Sequence, residues 1–479
     1  MTNAPIMLNV DCDMFANNPE VVLHGMCVLL GSDRDQKSGF VQSPQRFYGG
    51  IRDDPFGNQF IVAQHYAGMG VDGLGCTVYA GTGCFHRRKV IYGVAPELEG
   101  EEPAKLRGPK VGTPSPQELE RRFGRSREMQ ESAAWIISAG GPSNTTPAVK
   151  DLTVKQETAK QVASCAYEVG TCWGREIGWV YGTATEDIQT GLRIHSKGWR
   201  SVRLDPEPPA FLGCSPVGGP ATMNQYKRWA TGLLEVLMRR DGPLLATLAG
   251  KLAFRRCLVY VLYGIWALRS APELCYVLLA PYCAFTNTSF LPKVSEPTFL
   301  IPALLFVFYN VYTLTEYLEC ELSVRTWWNN QRMQRIQWTT PSLFGLFSVV
   351  TKVLGMSETT FEITPKEQNS SPTLEAAPFK DPGRFTFDSS PMFVPDTALV
   401  FLNFAAAATI LLKLLRSPAG VTKDSDGPGI AELVCSVWVV LSFWPFVRGL
   451  FGKGSYGLPW STILKGSALS SLYLLFCKW

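Results

Sequence analysis

No Cys-x-x-Cys pair occurs in this chain, and its thirteen cysteines form no cluster with histidine at zinc-ligand spacing. A structural zinc site and a disulfide framework are therefore excluded, and reduced cytosolic or membrane-buried thiols fit the pattern. Charge of one sign is scarce as well. The formal net charge is +4, from 45 Lys and Arg against 41 Asp and Glu, and the basic residues form no single patch. Nucleic acid is not an expected partner. The first residues lack a signal-peptide pattern, because Met1-Thr-Asn-Ala-Pro5 runs straight into the apolar Ile6-Met-Leu-Asn-Val10.

What is present is unevenly spread. At 479 residues the chain is long for one domain; the first 250 residues hold most of the charge and the rest hold the long apolar runs. This predicts a soluble domain over 1–250, with a Pro/Gly/charge-rich insertion at 96–150, followed by a membrane domain. Apolar runs lie near 257–286, 298–320, 396–416, 428–448 and 461–477, each close to the length a bilayer requires. Arg269, Pro272 and Glu273 interrupt the first run, so 251–321 reads as an interface helix and two spans. Residues 322–395 read as two amphipathic interface helices, one around Trp327 to Arg335 and one near Leu343 to Leu354, followed by a polar loop. Residues 396–479 read as three spans. An even number of spans between the charged half and the basic 322–366 segment sets both on the cytosolic side and makes five spans in all.

Within the first half, Ile6 to Val10 reads as a strand that ends at Asp11-Cys-Asp13. A parallel strand needs neighbours on both sides, so a strand this early suggests that the chain begins in the middle of a domain. Two carboxylates one residue apart at a strand end can hold a divalent cation through oxygen ligands. Asp-x-Asp is a common pattern, and only its position gives it weight. Glycines around Thr82 in Gly81-Thr-Gly-Cys84 let backbone approach a ligand, although a plain tight turn explains them equally. Glu186 and Asp187 fall where a helix should begin, with Thr185 as N-cap and Ile188, Leu192 and His195 at helical spacing. Acids in a first turn also serve the helix dipole. Gln225, Arg228 and Trp229 stand at i, i+3 and i+4, so one helix face carries an amide, a guanidinium and an indole. That face suits a phosphorylated sugar, and an arginine stacked on tryptophan at a helix surface is the plainer reading.

Taken in order, Asp11-Cys-Asp13, Thr185-Glu-Asp187, Gln225-Tyr-Lys-Arg-Trp229, the apolar runs and Phe361-x-x-Thr364-x-Lys366 resemble the processive family 2 glycosyltransferases of the cellulose synthase superfamily. The wording of Asn9 to Pro19 and of Gly81 to Arg88 is similar to the plant cellulose synthase-like branch, subfamily H, which is associated with mixed-linkage (1,3;1,4)-β-glucan. The resemblance implies an α/β GT-A-type (Rossmann-like) glycosyltransferase domain, incomplete at its N-terminus, followed by an α-helical transmembrane domain. It implies that Asp11 and Asp13 hold UDP with Mg or Mn, and that Asp187, with Glu186 beside it, supplies the catalytic base. Arg228, Thr364 and Lys366 would bind the UDP phosphates, the last two from a gating loop. Gln225, Trp229 and Gly81, Thr82, Gly83 and Cys84 would border the acceptor.

The implied activity is polymerisation of glucose from UDP-glucose onto a growing β-glucan that leaves through the protein's own channel. The implied setting is a multi-pass protein of the Golgi or plasma membrane, in contact with lipid, with the catalytic domain cytosolic. A second copy or other synthase subunits are the expected further partners. The sequence departs from the family pattern in lacking an earlier Asp-Asp-Gly stretch and two N-terminal spans, which suggests a truncated chain. The competing readings are a synthase of another polymer such as mannan, a non-catalytic subunit or fragment, and a transporter, which leaves the soluble half unexplained.

Overall fold

The computed structural model describes residues 4–31, 37–96, 115–127, 170–356, 383–416 and 427–478, with a few positions between 130 and 160. Two compact units interleave along the chain. Met1–Arg46, Tyr66–Gly213 and Val236–Leu262 make the first, and Phe47–His65, Cys214–Glu235 and Tyr263–Trp479 the second.

The described strands are β1 (Ile6–Asn9), β2 (Phe15–Ala16), β3 (Ser38–Gln42), β4 (Arg46–Phe47), β5 (Cys84–Arg87), β6 (Arg200–Arg203) and β7 (Phe211–Gly213). The first unit is built on a mixed sheet in the order β1-β5-β3-β6. Strand β3 is parallel to β6 and antiparallel to β5, and β5 is antiparallel to β1. Every residue of β3 is buried, which explains why Ser-Gly-Phe-Val-Gln shows no apolar-polar alternation. Among the described residues β1 has one neighbour, the antiparallel β5, where the sequence reading assumed a parallel strand.

Helices cover this sheet at close range. In the helix Val21–Leu30, a Cβ at Gly25 would meet the Phe85 ring at 2.8 Å, so only glycine admits β5 there. The helix Glu186–Ser196 buries Ile188, Leu192 and His195 at the expected spacing. Phe40, Tyr79, Ile91, Ile194 and Trp199 form the core beside it.

Two histidines in this core are held neutral. His86 sits among Phe40, Tyr79 and Trp179, and neither of its ring nitrogens has a hydrogen-bond partner. His195 lies between the Tyr260 hydroxyl at 2.7 Å and the Ser201 hydroxyl at 2.9 Å. The Ser201 hydroxyl donates to the Thr77 carbonyl, so His195 Nε2 is the donor to Ser201 and Nδ1 accepts from Tyr260. Burial lowers both imidazoles to about 3. Unfolding frees them to protonate near their ordinary value, so their contribution is intact above about pH 6.5 and is lost as pH falls toward 3. We expect His86→Phe, which removes one of these groups without orphaning a partner, to flatten the acid limb of the stability curve. Thermal midpoints measured from pH 7.5 to 4.5 check this.

The second unit is helical, with a core of Phe385, Phe387, Phe393, Phe443 and Phe446 packed against Met223, Met333 and Ile336. Among the described residues two helices are long and apolar enough to cross a membrane, Pro297–Glu319 and Phe393–Arg416. Ile430–Ser442 and Trp444–Leu450, bent by 71°, make a third if they are one span. The first apolar run is broken into Phe254–Gly264, a short turn and Ser270–Thr286. Its interrupting charges bind the helix Val324–Val353: Arg269 covers the Trp338 ring at 4.8 Å, and Glu273 pairs with Arg335. The last run gives Trp460–Phe476. At 17 residues each, Ser270–Thr286 and Trp460–Phe476 reach about 26 Å, short of a hydrocarbon core of about 30 Å.

The two amphipathic helices expected between Trp327 and Leu354 are one continuous helix, Val324–Val353, with Pro341 inside it. Proline removes the N–H that would bond the Gln337 carbonyl, and the Ser342 hydroxyl donates to that carbonyl at 3.1 Å instead. The replacement bond lets the helix continue. Ser323 caps its start, accepting from Thr326 N–H at 3.0 Å.

Candidate functional site

Asp11 and Asp13 follow the last residue of β1, where the ladder stops and the backbone needs new partners. Asp11 N–H donates to the Thr82 hydroxyl at 2.9 Å, and Met14 N–H returns to the Asp11 carbonyl at 3.1 Å. The turn so formed leaves Asp11 exposed and Asp13 half-buried. The facing turn, Ala80 to Gly83, is held by Gln42, which accepts from Ala80 N–H at 3.0 Å and donates to the Thr82 carbonyl at 2.7 Å.

Gly81 has φ +83°, and a Cβ there would stand 3.2 Å from Asp187 Oδ2. One turn therefore bonds Asp11 through Thr82 and passes close beside the Asp187 carboxylate at Gly81. Asp187 is half-buried in the first turn of Glu186–Ser196, and its Oδ1 accepts from Ile188 N–H at 2.8 Å. Thr185 precedes this helix but makes no side-chain cap, and its hydroxyl is buried without a partner. The Thr190 hydroxyl ties the approach down instead, accepting from Val180 N–H at 2.9 Å and donating to the Glu186 carbonyl at 2.7 Å. We expect Gly81→Ala to destabilise the fold by about 1–2 kcal/mol, because an L-residue must take a left-handed conformation and its methyl meets Asp187. A denaturant titration followed by hydrogen exchange in Glu186–Ser196 measures it.

Tyr79 was assigned no role from the sequence, yet it joins all three stretches. Its hydroxyl donates to Asn9 Oδ1 at 2.8 Å and accepts from Trp179 Nε1 at 2.8 Å. Asn9 ends β1, and Trp179 opens the segment that leads to Asp187. Burial, with the Asp187 and Glu186 charges adding to it, pushes the Tyr79 hydroxyl above its ordinary range, so it remains a donor. The legible signal was a tyrosine two residues before a glycine turn and a tryptophan shortly before the acids, both of which need partners for polar tips when buried.

Of the four residues expected to border an acceptor, Gly81 alone combines partial exposure with a place close beside Asp187. Thr82 is 1% exposed and its hydroxyl is engaged; Gly83 packs against Phe211. Cys84 is fully buried at the start of β5, and burial raises its thiol pKa well above the ordinary value. Strand β5 is covered on both faces, with Cys84 in the cluster of Phe40 and Trp199 and Phe85 in that of Val21 and Phe211.

Gln225, Arg228 and Trp229 lie in the second unit on the helix Gly219–Met238. Gln225 is buried, whereas Arg228 and Trp229 are half-buried, so the open cation beside an aromatic plate is only partly present. Trp229 lies 5.8 Å from the Phe60 ring, and Tyr226 between them in sequence stacks on Trp266 at 5.4 Å. Thr364 and Lys366 lie outside the described residues. Among the described residues no three His, Cys, Asp or Glu side chains group as metal ligands. Asp11 and Asp13 offer a pair of oxygen donors, which suits a cation that completes its shell from a phosphate and water.

A mixed α/β unit whose strand-end acids and helix-start acid meet one glycine turn, in a chain with membrane-length helices, defines the class of molecule. The family model for cellulose synthase matches residues 1–108 and 107–477. "Cellulose synthase-like protein H2" of Oryza sativa subsp. japonica is 52% identical over 480 residues, covering all of this chain and 62% of that protein. "Putative cellulose synthase-like protein H3" of the same subspecies is 53% identical over 481 residues, covering 58% of its length. "Cellulose synthase-like protein B4" of Arabidopsis thaliana is 39% identical over 485 residues, with 99% of this chain and 62% of that protein covered. The chain belongs to the cellulose synthase family, within its synthase-like H group, and spans about three-fifths of the length of these relatives.

Proposed function

We propose that this chain carries the catalytic centre of a membrane-embedded, processive, inverting β-glycosyltransferase. It polymerises glucose from UDP-glucose into a cell-wall β-glucan of mixed (1,3;1,4) linkage. The observation that supports the reading best is the Gly81–Thr82 turn, which bonds the Asp11 backbone and passes close beside the Asp187 carboxylate in one short segment. Donor-side and acceptor-side carboxylates need such a common edge, because the leaving diphosphate and the attacking hydroxyl lie on opposite sides of one sugar carbon.

In this mechanism an Asp187 oxygen takes the proton of the acceptor hydroxyl. The hydroxyl oxygen forms a bond to the anomeric carbon, and the bond from that carbon to the UDP oxygen breaks, its electron pair leaving with UDP. A sugar hydroxyl is a poor nucleophile until a positioned base accepts its proton. Asp11 and Asp13 would hold Mg or Mn, which when bound offsets charge on the departing diphosphate. From the family resemblance alone, Arg228, Thr364 and Lys366 would bind the UDP phosphates, and Trp229 and Gln225 would meet the acceptor sugar. Tyr79 positions the site by tying Asn9 and Trp179 to the Gly81 turn. The apolar helices of the second unit carry the polymer out through a multi-pass membrane domain, with the catalytic unit on the cytosolic side.

The test is product analysis. Membranes expressing the chain, alone and together with an H-type relative, are supplied with labelled UDP-glucose or labelled GDP-mannose, and the polymer is digested with linkage-specific glucanases or mannanase. We expect label in oligosaccharides that contain both linkages. A product made only from GDP-mannose, digested only by mannanase, overturns the glucan reading.

A further inference from the structure

A pocket in the second unit is lined by residues that the proposed reaction does not use. It is a partly open cleft, and three arginines from three segments wall it. Arg332 comes from the helix Val324–Val353, Arg384 from the stretch before Phe385, and Arg448 from the helix Trp444–Leu450. No described acidic side chain lines it. The ion pairs among the described residues involve none of the three. The acids of the neighbouring loop are engaged elsewhere: Asp53 meets Arg325 and the Ser323 hydroxyl, and Asp54 accepts from Asn58 and Gln59 N–H and from the Asn330 amide.

The arginines are prepared for a ligand. Arg332 donates one bond, from Nη2 to Asn329 Oδ1 at 3.1 Å, while its Nε is buried without a partner. Burial, then the like charges of Arg448 and Arg325, lower its pKa to about 10, so it is still charged at neutral pH and repelled by its neighbours. Arg384 lies 4.6 Å above the Tyr456 ring in a cation–π contact. Like charges converge on a cavity at a cost that an anion between them reverses. Planar guanidinium forks match tetrahedral oxyanions bidentately, and three of them exceed what one carboxylate can neutralise.

We propose that this pocket binds a phosphate group, either free or as the headgroup of an anionic lipid. The lipid source has support from position. Trp444, 43% exposed on the pocket wall, sits at the break after the apolar helix Ile430–Ser442, and tryptophan with arginine at the end of an apolar helix is the usual company of lipid phosphates.

The test uses the full chain in phosphatidylcholine nanodiscs with two probes, inorganic pyrophosphate and dioctanoyl phosphatidic acid, and dioctanoylglycerol as the uncharged control. We expect saturable binding of at least one phosphate probe and none of the control. The paired substitution Arg332→Gln with Arg448→Gln lowers the affinity about tenfold or more, the scale of losing a charge-assisted contact. Pyrophosphate held elsewhere on the protein is indifferent to these changes, so the difference between wild type and variant is the readout. Arg448 is exposed, so Arg448→Glu alone gives the same loss if the paired variant does not fold. Binding of both probes identifies the phosphate as sufficient, and binding of phosphatidic acid alone identifies a lipid headgroup. The proposal is overturned if neither probe binds, or if the variants bind as the wild type does.

Discussion

Asp187→Asn is expected to lower polymer synthesis by on the order of 10²- to 10⁴-fold with the fold intact, the span that a positioned general base contributes. Asparagine keeps the size and the hydrogen bond from Ile188 N–H but cannot accept the acceptor's proton. Glu186→Gln is the informative neighbour. That residue shares the first turn, and the dipole term it supplies is worth only about 0.3–1 kcal/mol, so synthesis should change little. Labelled glucose incorporated per milligram of membrane protein, with UDP release measured in parallel, separates the two. Turnover within tenfold of wild type in Asp187→Asn would falsify its role as base and favour the non-catalytic subunit reading.

The largest structural effect is expected at Trp199. This side chain is 1% exposed in the core beside β3 and the helix Glu186–Ser196, and its Nε1 donates to the Val94 carbonyl at 2.7 Å. Its own carbonyl accepts from buried Arg256 at 2.8 Å, so backbone and side chain are both engaged. Trp199→Ala should destabilise the first unit by about 3–5 kcal/mol, through lost apolar burial and the cavity left behind. Trp199→Phe keeps most of the ring volume and loses chiefly the bond to Val94, so it should cost less, about 1–3 kcal/mol. Amide exchange of the β3 residues in the solubilised chain reads both. Equal protection in wild type and Trp199→Ala would show that this core does not limit opening of the sheet.

The candidate residues were legible in linear order because the chemistry proposed for them is carried by short runs. Asp11-Cys-Asp13, Thr185-Glu-Asp187 and Gln225 to Trp229 each place charge within one turn or strand end, where local geometry alone decides what is adjacent. The helix that begins at Glu186 and buries Ile188, Leu192 and His195 follows from its periodicity. The continuous helix through Pro341 was not legible, since the rescue of the Gln337 carbonyl by the Ser342 hydroxyl depends on a rotamer and not on residue type. Nor was the burial of Cys84, because a glycine turn suggests an open loop while the strand that follows it is covered on both faces.

The sequence by itself determined the family, the order of the acid motifs and the separation of a charged half from an apolar one, because these rest on composition and on neighbours along the chain. Only the tertiary structure decided that β1 pairs antiparallel with β5, that Tyr79 binds Asn9 and Trp179, and that Arg332, Arg384 and Arg448 share one pocket. Those residues lie tens to more than a hundred positions apart. What brings them together is the burial of apolar surface by whole elements, and the free energy of that burial depends on area removed from water and carries no mark at any single residue.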